Sequence, residues 1–196
     1  MGMQYDVWAV TPAAAADDNF YVTTVTPGAA GALTLAATTP SVNGCGYKVV
    51  LTTADDESGV TFTIVGTGVN GETIRESFAG PSSATTKLST NYYASVSSIS
   101  VSAATTDAII LGYSADFALP RTRIKGFYFT GAASAGSVIV TRASDSKVLL
   151  DMATPVGTGT SGSLFLPAEG IFVGPGLNEY ATVTRSNVAS VTFICG

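Results

Sequence analysis

From Asn19 onward the chain is cut into short runs rich in Val, Ile, Thr and aromatic residues, each closed by a glycine, proline or asparagine turn. β-Branched and aromatic side chains fit a pleated strand, and the punctuating residues supply the backbone angles of tight turns. A first group predicts strands over 20–26, 33–37, 47–53, 60–65, 73–78, 94–101 and 108–113, with turns at Pro27-Gly28, Asn43-Gly44, Ser58-Gly59, Asn70-Gly71 and Gly80-Pro81. Such a series is the pattern of an antiparallel sandwich of immunoglobulin-like type. A second group predicts strands over 123–130, 137–142, 147–151, 162–166, 170–173, 179–184 and 190–195. The expected fold is all-β: two small antiparallel β-sandwich domains, the first immunoglobulin-like and the second a sandwich or barrel, with an extended N-terminal arm. Pro120 marks the domain boundary, giving an arm over 1–18, a first domain over 19–118 and a second over 119–196. Nothing repeats at a fixed solenoid period, which argues against β-helices and propellers.

The hairpin around Asn70-Gly71 can be read in more detail, because loop length decides which side chains share a face. A two-residue loop opposes Ile64 to Ser77 and Thr63 to Phe78. A three-residue loop with Gly71 left-handed instead opposes Phe62 to Phe78 and Gly66 to Ile74, gathering Phe62, Ile64, Ile74 and Phe78 on one face. The second register is the expected one. It also turns Glu76 to that face opposite Ile64, so Glu76 lies at a rim or needs a partner.

Charged residues make up only 12% of the chain against 46% hydrophobic, about half the ~25% of an average soluble domain. A low-charge exterior is what remains when much surface is covered by copies of the chain or by partners, because interface cores are depleted of charge. The net charge of −5 argues against nucleic acid as a partner. Arg121, Arg123 and Lys125 alternate onto one strand face, read as solvated or as an inter-subunit ion pair.

Histidine is absent, which removes the commonest general base, the usual serine or cysteine triad and most zinc sites. Asp17-Asp18 and Asp55-Asp56-Glu57 are consecutive, a poor geometry for a catalytic carboxylate pair, and the latter reads as a solvated turn. The Gly157 to Gly162 stretch matches a dinucleotide fingerprint formally, but the residues after it form no helix, so it reads as a flexible loop. No enzyme activity, cofactor or metal is therefore expected.

The first residues, Met1 to Asp6, lack the basic and apolar segments of a secretory signal, and no apolar run approaches the ~20 residues of a membrane helix. Synthesis in a cytosol, with no membrane partner, is expected, and there Cys45 and Cys195 stay as free buried thiols. Tyr5 to Val10 is a short alternating strand before Pro12. Trp8 either anchors an arm to a partner or plugs the first domain's core, and Tyr5 belongs to the same segment. Tyr92 and Tyr93 are consecutive, so they cannot both point into one core, and one is an interface candidate.

The segment Gly59 to Ile74, followed by Glu76 and Gly80-Pro81, resembles the immunoglobulin-like hairpin of small virion proteins of tailed bacteriophages. The stretch from Leu166 through Val173 and Tyr180 to Phe193 is similar in rhythm to their closing strands. The resemblance implies a virion structural protein made in the host bacterial cytoplasm, foremost a capsid decoration or cement protein. It would bind the major capsid protein or other virion proteins and form a homo-oligomer. Tail, collar or fibre subunits share the pattern, and a carbohydrate-binding module is a further alternative.

Overall fold

The computed structural model describes residues 8–12, 15–40, 45–167, 169–174, 176 and 179–196, with Trp8 described in its backbone alone. Tyr5 and the Asn43-Gly44 turn lie outside these residues. The strands are β1 (Trp8–Val10), β2 (Asp17–Val25), β3 (Gly31–Ala32), β4 (Gly46–Thr53), β5 (Thr61–Gly68), β6 (Thr73–Ala79), β7 (Thr86–Val101), β8 (Ile109–Leu119), β9 (Arg123–Gly131), β10 (Gly136–Arg142), β11 (Val148–Thr154), β12 (Ser161–Phe165), β13 (Ile171–Phe172), β14 (Ala181–Ser186) and β15 (Val188–Cys195). The protein is all-β with antiparallel sheets, consistent with a β-sandwich, and no helix occurs among the described residues.

Two compact units divide the chain, one of Ala15–Val42 and Gly46–Ala115, the other of Met1–Ala14, Asn43–Cys45 and Asp116–Gly196. One of the boundaries between them falls within β8, a few residues before Pro120.

In the first unit the strand order is β6-β5-β7-β4-β8-β2, with β3 also against β7. The long strand β7 serves two neighbours: residues 86–93 pair with β4 and residues 93–101 with β5. Bulges accompany the change. Ser97 is the extra residue opposite Val65, and its hydroxyl donates to the Val65 carbonyl at 3.0 Å. On β4, Val49 alone faces the three residues Ser89, Thr90 and Asn91 of β7, and its N–H donates to Ser89 Oγ at 2.9 Å. The core holds Tyr21, Tyr47, Tyr93, Phe62, Ile64, Ile99, Leu51, Ile109 and Leu111, all with no exposed surface.

The β5–β6 hairpin adopts the three-residue loop. Phe62 faces Phe78, Ile64 faces Glu76 and Gly66 faces Ile74. The Gly68 N–H donates to the Glu72 carbonyl, and Gly71 sits at φ +87°, a left-handed angle that glycine adopts without steric cost.

Asp55 and Asp56 are exposed as expected of a solvated turn, but Glu57 departs from that reading: it is 1% exposed. Its Oε1 accepts the N–H groups of Thr106 and Asp107 at 2.6 and 2.9 Å, so it clamps the loop before β8. Three acids in a row gave no hint that the third turns inward.

The second unit has a sheet ordered β1-β15-β9-β12, with β13 also on β9, and a further ladder of β11, β10 and β14 that takes in Phe117 to Leu119 at the end of β8. Phe193 of β15 packs against Phe127 at 5.8 Å and Phe117 at 6.1 Å between ring centroids, joining the two. The N-terminal segment is docked over its described strand: Trp8 lies opposite Cys195, Ala9 opposite Ile194 and Val10 opposite Phe193. Val10 is fully buried there. Cys45 and Cys195 are both buried, and burial pushes the Cys195 thiol up to about 11.

Candidate functional site

Of the four residues singled out as interface anchors, Tyr5 lies outside the described residues and Trp8 is placed only as a residue of edge strand β1. Strand parity sends Tyr92 and Tyr93 to opposite faces. Tyr93 is corrected from anchor to core: its ring is fully buried and its hydroxyl donates to Glu76 Oε2 at 3.2 Å. Glu76 also accepts the backbone N–H groups of Thr90 and Asn91 and the Asn91 side-chain amide, which supplies the partner its inward position demanded. Burial pushes the Glu76 carboxyl up, but these hydrogen bonds outweigh it and hold the group below its ordinary range. Tyr92 is half-buried beneath the Lys48 ammonium, 5.3 Å from the ring centre.

Two surfaces not singled out by the anchors stand out. The first lies in the first unit. No charged residue occurs between Asp18 and Lys48. Much of this tract is exposed, including Thr23 to Thr26, Gly28 to Ala32, Thr34, Ala36, Thr38 and Thr39. It is nonetheless tied down: Leu33 N donates to Ile99 O, Ala36 N to Tyr21 O, Val96 N to Thr38 O and Thr105 N to Pro27 O, at 2.8–2.9 Å. Residues 22–36 enclose a groove of about 560 Å³. This exposed surface of Ala, Thr, Gly and Val shares with an interface core its lack of charge. The uninterrupted absence of charge was the sequence signal that could have found it.

The second surface is the outer face of β15, β9 and β12 in the second unit. Register places Thr192, Tyr128 and Ser163 in one row and Ser190, Thr130 and Ser161 in the next. Val191, Phe193, Phe127 and Phe129, the alternate residues, fill the core. Tyr128 and Phe165 are 48% and 63% exposed, and their rings meet edge to face at 5.7 Å. Nearby, Arg121 and Arg123 lie 5.7 and 5.1 Å from the centre of the Phe172 ring. Arg123 also pairs with Glu169 at 3.8 Å and donates to its carbonyl, so two members of the basic series predicted from alternation, Arg121 and Arg123, make internal contacts.

No group of three or more potential metal ligands of the His, Cys, Asp or Glu type occurs among the described residues. The glycine-rich stretch from Gly157 ends in β12 and is tied to Gly131 and Ala132 by backbone hydrogen bonds. No family model matches the chain, and no curated protein matches it.

Proposed function

We propose that the protein is a non-catalytic structural component of a tailed-bacteriophage particle, a capsid decoration or cement protein that binds the outer capsid and bridges neighbouring capsid subunits. The observation that carries this reading is the exposed, charge-free tract between Asp18 and Lys48, held in place by backbone hydrogen bonds. An ordered docking segment loses little conformational freedom on contact, so more of its contact energy is retained as affinity. Repeated on a symmetric shell, many modest contacts of this kind sum to a large stabilisation. The resemblance of the Gly59 to Ile74 hairpin to those of small virion proteins is a second ground for the same reading.

Rebinding to capsids stripped of the protein tests it. Wild-type chain is expected to rebind and to restore resistance to internal pressure. The variants Ala30→Glu and Thr34→Glu, both at exposed positions, are expected to keep the fold by circular dichroism and to lose about tenfold or more in affinity. Failure of the wild type to bind capsids would remove the reading in favour of a tail, collar or fibre role.

A further inference from the structure

The outer face of β15, β9 and β12 has a composition that the proposed capsid contact does not use. Its groove of about 400 Å³ is lined chiefly by Tyr128, Thr130, Ser161, Ser163, Ser190 and Thr192. That volume falls within the range of small-ligand sites. The lining carries hydroxyls on three adjacent strands and no charged side chain. Only Thr192 spends its hydroxyl on another side chain, with Thr11 at 3.2 Å. At one end stand two large aromatic rings, Tyr128 and Phe165, left facing water. Gly162, between Ser161 and Ser163, turns its Cα hydrogen inward, where a methyl group would collide with the Phe129 ring, so that ring lies close beneath β12.

Each feature narrows the ligand. Exposed aromatic faces call for a partner with a flat patch of C–H bonds, and they supply large contact area at little entropic cost. Serine and threonine hydroxyls both donate and accept, so they match a partner that is itself dense in hydroxyls. The lack of charge leaves a carboxylate, sulfate or phosphate with no counter-charge in the groove. A lipid surface would strip water from the hydroxyl rows without replacing their hydrogen bonds. Pyranose rings combine an apolar face with a rim of hydroxyls and carry no charge. We infer that this groove binds neutral polysaccharide, with Tyr128 and Phe165 as stacking platforms and the two hydroxyl rows as hydrogen-bonding partners. The inference does not rest on the capsid role, because it uses none of the residues of the charge-free tract.

Affinity electrophoresis of the full chain tests it, in gels containing soluble starch, a β-glucan, galactomannan or polygalacturonate. At least one of the three neutral polymers is expected to retard the wild type, and polygalacturonate is not. Tyr128→Ala and Phe165→Ala are each expected to weaken the retardation about tenfold. Thr130→Val, which keeps strand shape while removing one hydroxyl, serves as a second variant and is expected to weaken it by about threefold. Unretarded migration in all three neutral polymers would overturn the inference, as would retardation unchanged in both aromatic variants, or retardation by polygalacturonate alone.

Discussion

The Tyr93 hydroxyl donates to the Glu76 carboxylate at 3.2 Å, tying the core of β7 to β6. Thr90 N, Asn91 N and the Asn91 amide complete the set of donors around the same carboxylate. Tyr93→Phe removes one donor and keeps the ring, so the expected loss is about 1–2 kcal/mol in chemical denaturation. Tyr93→Ala also empties a core site and is expected to cost about 3–5 kcal/mol.

The same carboxylate gives stability a pH dependence. Its folded pKa is lowered relative to the ordinary value of 4.5. Its contribution is therefore complete above that value and is lost as pH falls through the lowered folded value. Glu76→Gln is expected to flatten the acid side of the stability profile while also lowering stability at neutral pH. A steep acid slope retained in the variant would assign that slope to other carboxylates.

Two glycines of the β5–β6 hairpin are constrained for different reasons, and their alanine variants separate them. Gly71 has open space around it but a φ of +87°, so Gly71→Ala is expected to cost about 1 kcal/mol. At Gly66 a Cβ would fall on the Ser95 carbonyl oxygen and press on Tyr93 Cδ1. Gly66→Ala is expected to cost about 2–3 kcal/mol, because backbone cannot yield as a flexible side chain can. Paired urea titrations of the two variants read the difference.

Glu57→Ala strips the acceptor from the Thr106 and Asp107 N–H groups and leaves a cavity where Glu57 was buried. A loss of about 3 kcal/mol is expected. Asp55→Ala, two residues earlier and exposed, is expected to stay within about 0.5–1 kcal/mol. Equal losses in thermal unfolding would mean that Glu57 has no special role.

Both thiols are buried, and burial raises that of Cys195 to about 11. The thiolate is the reactive form, so at pH 8 the native protein is expected to react very slowly with a thiol-specific disulfide reagent. Both cysteines are expected to react rapidly once denaturant is added.

Strand positions were largely legible because alternation and turn residues act locally, and the β5–β6 register followed from asking which loop gathers Phe62, Ile64, Ile74 and Phe78 on one face. The first half of β7 was missed because its polarity is inverted there. Leu88 is 51% exposed while Ser89, the first residue of a bulge in β7, is buried and receives the N–H of Val49. Glu57 was misread because its partners, Thr106 and Asp107, lie far along the chain. The hydroxyl groove was hidden for a similar reason. The outward residues of β9, β12 and β15 could each be read from alternation, but only the pairing of three distant segments lines up Thr192, Tyr128 and Ser163.

Capsid decoration is tested most directly by the number of copies of this chain in purified virions, by quantitative mass spectrometry against the major capsid protein. Decoration predicts copies on the order of hundreds, in a fixed ratio to the shell subunit set by its symmetry. Absence from the virion, or a copy number confined to a tail ring, would contradict it.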